Sequence, residues 1–371
     1  MQLIDTPDQS DLRAILRNAL AQYPPRATPV GADDVTTDFD GDLWQMIARE
    51  MGLAGLLVPE RFGGAGASAA EVAVVLSELG RVLARVPYLA SAVLAVTAIV
   101  GAGDEPAMAH LLPGIADGRR IATVAGATED GSWRAGARDV VATPDKDGWR
   151  LFGTKSYVID GAGADVVLVF GRAPAGPTLF AVERESSGVA LRDLPTMDRT
   201  RPLARLDLDA AEARRVGVPG GGAMIRDRVL RAASLGLAAE QLGGLEHTLE
   251  MAVDHARTRI QFGVPIGTFQ GVKHRCADLL VAVETARSLV AYAAWCAGTE
   301  DADLPVAAAM ARAYCSDAFF HAAGSNIQVH GGIGFTWEHP AHLYLKRAAS
   351  SRALFGTPTA HRAELAELLH L

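Results

Sequence analysis

Residues 257–270 read RTRIQFGVPIGTFQ, and they interrupt the longest helical period in the chain. Upstream, Leu242, Leu245, Leu249, Val253 and Ala256 recur at spacings of three and four, which puts them on one helix face. If Met224 to Arg259 form a single helix, it is about 50 Å long. Downstream, Val272, Cys276, Leu279, Val283 and Ala286 share one face of a helix expected from Phe269 to about Ala297. A third helix is expected to start near Asp303 and Pro305, a suitable cap and first-turn pair, and to run to about Val329. Shorter helical segments follow. Residues 217–371 therefore read as an antiparallel helical bundle.

Ahead of this bundle, GVPGGGA (217–223) reads as a flexible joint. Residues 118–216 have a different texture. Short β-branched runs such as RRIATVAG, ADVVLVFG, TLFAVE and ARLDLD are separated by turn residues, and DKDG between two runs is a hairpin signal. No helix-length segment separates the runs, so a small antiparallel β domain is expected rather than a Rossmann unit. Residues 1–117 look helical. SAAEVAVVLSELGRVL opens with Ser68 and Glu71 in capping-box spacing, and VPYLASAVLAVTAIVG is apolar nearly all round, as a buried helix would be. The fold class is thus α+β: a helical segment, a β domain and a helical bundle.

Composition narrows the function. With 371 residues the chain exceeds a single comfortable core, and with 49% hydrophobic and 21% charged residues it is an ordinary globular protein. A net charge of −8 argues against a nucleic-acid or anionic-membrane surface. No uninterrupted apolar run reaches the roughly 20 residues of a membrane span. The first residues, MQLIDTPDQSDLRAIL, are too acidic and polar for a secretory signal. Cys276, Cys296 and Cys315 are odd in number and lie in helical patterns, so reduced thiols and a cytoplasmic location are expected.

Three segments, VPERFGGAGASAAE (58–71), RTRIQFGVPIGTFQ (257–270) and IQVHGGIGFTWEHP (327–340), together resemble the acyl-CoA dehydrogenase family, and the resemblance covers nearly the whole chain. It implies a four-helix bundle after the β domain, FAD as cofactor and an acyl-CoA substrate. The implied reaction is α,β-desaturation of the thioester, with electrons passed to an electron-transfer flavoprotein or a similar acceptor. A carboxylate takes the α proton while hydride leaves the β carbon for the flavin, which carries the redox step.

Within these segments the residues read physically as follows. Arg259 offers a planar cation suited to pyrophosphate oxygens, Phe262 a face for adenine or ribose, and Gln261 and Gln270 polar contacts nearby. Gln328, Val329, Gly331 and Gly332 form a turn whose backbone N–H groups can approach an anion closely. Thr357 completes the cofactor-binding candidates. Taken singly, an arginine at a helix C-terminus only complements the dipole, and a double glycine only stops a helix. The resemblance implies that the two segments hold the ADP end of an FAD whose ring lies in a neighbouring subunit.

The expected base is missing. In the family the last segment is followed by a Glu-Gly-Thr turn; counted on without a gap, the glutamate position holds Phe355, and Gly356 and Thr357 complete the turn. Some members carry the glutamate on the long helix instead, where the matching position is Ala233. No catalytic residue is therefore assigned to this chain. The β domain departs too. The Thr-Glu-Pro and Gly-Ser-Asp loop reads VAGATEDGSWRAGARD (124–139), and the Trp-Ile-Thr-Asn strand reads KSYVIDGAGAD (155–165), with Tyr157 at the Trp position and Ile159 replacing the threonine.

Keeping the ADP half of the site and losing the ring half is similar to the base-lacking subunit of heteromeric α2β2 acyl-CoA dehydrogenases of bacterial steroid side-chain degradation. The resemblance implies a second subunit of the same family as partner. A homotetramer with an unconventional base, or a non-catalytic binding protein of this family, is the alternative. Glu338, His339 and His342 lie close together, but Pro340 between the histidines favours a helix start, and no metal site is assigned. Glu240 and Glu246 lie away from the expected base position and read as solvated or salt-bridged; Lys273, His274 and Arg275 read as a charged helix face.

Overall fold

The computed structural model describes residues 4–23, 39–133, 140–146 and 148–371. The end of the 124–139 loop, from 134 onward, and Asp147 of the hairpin turn lie outside the described residues. The first helices are α1 (Pro7–Leu20), α2 (Gly41–Gln45), α3 (Ala69–Arg81), α4 (Val96–Ala102) and α5 (Glu105–Ala116). Seven strands follow: β1 (Ala122–Ala125), β2 (Val140–Asp145), β3 (Gly148–Ile159), β4 (Val166–Ala173), β5 (Gly176–Glu183), β6 (Val189–Asp193) and β7 (Leu203–Val216). The remainder is α6 (Gly222–Thr258), the short strands β8 (Ile260–Gln261) and β9 (Val264–Pro265), then α7 (Gln270–Gly298), α8 (Leu304–His330), α9 (Ala341–Ala353) and α10 (Pro358–Leu368).

Two compact units emerge, and they cut across the divisions at 117 and 216. α1 and α3 belong with the helices that follow Ser234, while the other early helices belong with the strands. The texture of the sequence separates helix from strand; packing of apolar faces decides which helices share a core.

In the helical unit, Thr6 and Gln9 form a reciprocal capping box that starts α1, with Pro7 at its first position. Arg13 and Arg17 on α1 converge on Glu78 of α3, which is 1% exposed, at 3.1 and 2.6 Å. Helix α3 begins directly after Ser68, where the capping-box spacing puts its start. α3 and α6 then cross with their backbones in contact. A Cβ on Gly243 would stand 1.7 Å from the Ser77 carbonyl oxygen, and one on Gly80 would stand 2.0 Å from that of Glu240. Gly243→Ala must push the two helices apart, and we expect it to cost about 3 kcal/mol in urea denaturation. An unchanged midpoint would refute the crossing. By length and mean hydropathy alone α7 could cross a membrane, yet it packs along α8 and α3.

The β unit is a mixed sheet. Its order is β1-β4-β2-β3-β7-β5, and β4 also pairs with β5, so β4, β2, β3, β7 and β5 close into a ring. The DKDG hairpin forms as expected, with Asp145 opposite Gly148. The purely antiparallel expectation needs correction, because β1 and β2 run parallel to β4. The chain between β1 and β4 makes its crossover through the β2–β3 hairpin rather than through a helix. Strand β6 was not legible in the sequence: it is a half-exposed edge that, among the described residues, pairs with β7 alone. The ring is filled by Val140, Leu151, Val167, Val169, Phe180 and Leu206, all fully buried. In the same unit the apolar 88–102 stretch is buried over its first nine residues and is π-wound as far as Ala95.

Candidate functional site

Helix α6 ends at Thr258, and the chain turns through a two-residue hairpin, Phe262–Gly263, between β8 and β9. Both turn residues have positive φ, 55° and 80°, as a type I′ hairpin requires. Glycine suits that geometry; phenylalanine does not, and the strained side chain is held 92% exposed. Phe262 meets Phe269 edge-on at 6.1 Å, which sets the hairpin against the start of α7. Arg259 and Gln270, at either end of this connection, are exposed, and so is Gln261, whose amide donates to the Ile260 carbonyl.

Helix α8 delivers the second segment. Gln328 is exposed in its last turn, and Gly331, with φ of 65°, closes it. An added Cβ at Gly331 or Gly332 would meet nothing within 4 Å, so the backbone there is open to a ligand. Val329 differs: its side chain is buried, and it has only backbone to offer. Thr357 caps α10, accepting from the Ala360 N–H at 3.3 Å.

What joins the two segments is a feature the sequence reading passed over. The His255 ring, one turn before Arg259, stacks on His330 at 4.2 Å and 29°. His330 in turn lies against His339 at 4.2 Å, the rings tilted by 43°. The ends of α6 and α8 thereby meet, and with them the Arg259 and Gln328–Gly332 segments. His330 and His339 both lie in the 327–340 motif, and His255 stands two residues ahead of the 257–270 motif, which was the available signal.

The turn at Phe355 is where the motif count leads one to expect a base. Phe355 and Gly356 both have positive φ, 54° and 107°, and Thr357 starts the next helix. Buried Arg312 pins the turn from behind, donating to the Ser351 carbonyl at 2.5 Å and the Leu354 carbonyl at 2.9 Å. The side chain at the base position is a half-buried phenyl ring, and Ala233 is fully buried. Neither accepts a proton.

Three glutamates along α6 are engaged. Glu240 is buried against Arg347, and Glu246 pairs with Arg287 at 2.8 Å. Both thus take the salt-bridged reading. Glu250 is gripped by both ends of the Arg81 guanidinium, one contact at 2.7 Å. Burial pushes its carboxyl up, but His247 and Arg81 outweigh that and hold it down from 4.5 to about 2. The stability this pair adds is complete above pH 4.5 and is lost as pH falls towards 2. Glu250→Gln should flatten the acid side of a melting-temperature profile over that window; an unaltered profile would count against the pairing.

In the β unit, Tyr157 is 42% exposed with φ of 56°, and its hydroxyl donates to the Glu129 carbonyl at 3.3 Å. Ile159 is buried and presents no functional group. Trp133 lies over Gly126, and buried Lys155 donates to the Gly126 carbonyl at 3.0 Å. All three cysteines are free thiols.

The order of domains and the paired motif segments define a flavin-dependent acyl-CoA oxidoreductase architecture. The chain belongs to the acyl-CoA dehydrogenase family: the profile of the family's N-terminal domain matches residues 6–119, and that of its C-terminal domain residues 220–370. Members of this family are FAD-dependent flavoproteins. Among its relatives, Acyl-CoA dehydrogenase IpdE2 of Mycobacterium tuberculosis is 35% identical over 94% of this chain and 92% of its own length. Among solved structures, the ChsE4-ChsE5 complex from Mycobacterium tuberculosis contains a chain that superposes with a TM-score of 0.88 at 31% identity, over 100% of this chain and 99% of that one. A Tcur3481-Tcur3483 steroid ACAD variant gives 0.86 at 32%, covering 98% of both chains.

Exposed Arg259 and Gln270, the presented ring of Phe262 and the open Gly331–Gly332 backbone fit the phosphates and adenosine of FAD. The residues at 355 and 233 do not fit proton abstraction from a substrate.

Proposed function

We propose that this chain is the base-lacking subunit of a heteromeric, cytoplasmic acyl-CoA dehydrogenase that desaturates an acyl-CoA thioester. The observation that carries the reading is the intact Phe355–Gly356–Thr357 turn with a phenyl ring in place of the carboxylate. FAD, when bound, supplies the hydride acceptor. This chain's residues bind and orient it: Arg259 neutralises pyrophosphate charge, Phe262 offers a stacking face, and the Gly331–Gly332 backbone donates to anionic oxygens. Proton abstraction and the flavin-ring contacts fall to the partner, a second subunit of the same family. A steroid side-chain thioester is the favoured substrate class, since structures such as the steroid ACAD resemble this chain over its whole length. An electron-transfer flavoprotein or similar carrier takes up the electrons.

Native mass and flavin content test the assembly. A heterotetramer with about one FAD per pair of chains is expected, because each FAD needs one ring site and one ADP site. A homotetramer with FAD on every copy of this chain would overturn it. The ADP-arm assignment has its own test. Charge-assisted bonds contribute roughly 1.5–3 kcal/mol, so Arg259→Ala should weaken FAD binding to the complex by about tenfold or more. Unchanged FAD affinity with a lowered melting temperature would instead mean that Arg259 only complements its helix.

A further inference from the structure

Three imidazoles in contact, drawn from three separate segments, need a reason. His255 comes from the last turn of α6, His330 from the last turn of α8, and His339 from the segment that leads into α9. His342 and Trp337 continue the cluster, edge to face at 4.6 Å, and Lys346 lies 4.1 Å over the Trp337 ring. The segments so joined carry the candidate cofactor contacts. The Arg259 N–H donates to the His255 carbonyl at 2.8 Å, and Gln328, Gly331 and Gly332 flank His330 in sequence.

The hydrogen bonds fix the protonation states. His330 Nδ1 lies 2.9 Å from the Asn326 carbonyl, which only accepts, so the proton of His330 sits on Nδ1. His339 Nδ1 accepts from the Ala341 N–H at 3.2 Å, which caps the start of α9, so His339 is neutral there. A second proton on His339 abolishes that bond and places charge against a neighbouring ring. The titratable groups facing the stack are basic: His330 and Arg259 face His255, while His330, His255 and His342 face His339. Lys346 of α9 faces His342. The carboxylates adjoining in sequence, Asp254 and Glu338, are exposed to solvent.

We propose that His255, His330 and His339 form a proton-sensitive clamp that positions the two cofactor-contacting segments, so that this chain loses its hold on FAD in acid. The inference rests on the ADP-arm reading above and adds its regulation. Burial, then the neighbouring histidines, push His339 down from 6.5 to about 4, and His255 and His342 are lowered too. The clamp is thus undisturbed above pH 6.5. Below it, opening is favoured by up to tenfold per pH unit for each imidazole that is neutral in the closed clamp and protonated in the open one. Added positive charge near a pyrophosphate would by itself tighten FAD binding. A positioning clamp demands the opposite sign.

The experiment titrates FAD into the apo complex of this chain with its partner between pH 8.0 and 5.5. FAD affinity should fall by about tenfold over that range. Two variants each remove one titrating ring: His255→Phe, which keeps a stacking ring, and His339→Asn, which keeps an acceptor for the Ala341 N–H. Both should show a flattened pH dependence. Histidine ring NMR on the cofactor-free chain gives a readout that needs no variant: His339 should stay neutral to about pH 5. FAD affinity that is constant or rises towards acid, or a His339 that titrates normally, overturns the clamp. Arg259→Ala separates the two readings. If it leaves FAD affinity at pH 8.0 unchanged, the ADP-arm reading falls; if it weakens binding while the acid loss is absent, only the clamp falls.

Discussion

Supplied with FAD, an acyl-CoA and an artificial electron acceptor, the isolated chain is expected to turn over no substrate. A positioned general base contributes roughly 10²–10⁴-fold to such a reaction, and positions 355 and 233 hold phenylalanine and alanine. The three glutamates of α6 cannot substitute cheaply, since Glu240, Glu246 and Glu250 are each paired with an arginine. A carboxylate held near pH 2, as Glu250 is, is a poor proton acceptor at neutral pH. Phe355→Glu restores the missing group but not the β-domain contacts, because Ile159 is buried without a hydroxyl and Trp133 packs over Gly126. That variant alone should therefore remain inactive, while co-purification with the partner subunit should give turnover. Robust turnover by the isolated parent chain would sink the base-lacking assignment. Recovery in the single variant would show that the β domain still serves the flavin ring.

The largest stability effect is expected at Glu240 and Arg347, which are 8% and 3% exposed and bonded to each other. Glu240→Ala leaves a guanidinium charge in the interior, and removing one partner of a buried pair costs about 3–5 kcal/mol. Glu240 also lies where α6 crosses α3, its carbonyl against Gly80, so the surrounding backbone has little room to relax. Replacing both partners by apolar residues of similar length, Glu240→Met with Arg347→Met, should recover most of the loss. Urea denaturation of the two variants decides the matter. Equal losses in the single and double variants would mean that packing, not charge, is what the pair provides.

Much of this was legible in residue order. The stripe from Leu242 to Ala256 announced α6, because a helix repeats its face every three or four residues whatever surrounds it. The 145–148 hairpin was equally local. The parallel pairing of β1 and β2 with β4 was not, since strand direction depends on partners far apart in sequence. Edge strand β6 escaped for a related reason: with one neighbour and half-exposed side chains, its residues carry little alternation. The candidate contacts Arg259, Phe262, Gln270, Gln328 and Gly331 were all named from motifs, but the strain on Phe262 and the burial of Val329 were not.

The loss of the base is a matter of which residue stands at a position, and the sequence by itself determined it: no packing can give Phe355 or Ala233 a carboxylate. The same holds for helix lengths, for the hairpin turn and for the family motifs. Tertiary structure alone decided that α1 and α3 share a core with the C-terminal helices, that Glu240 is locked by Arg347, and that His255, His330 and His339 meet. Those outcomes bring together side chains 9 to 107 residues apart, and only the packed arrangement of helices sets their distances and hence their charge states.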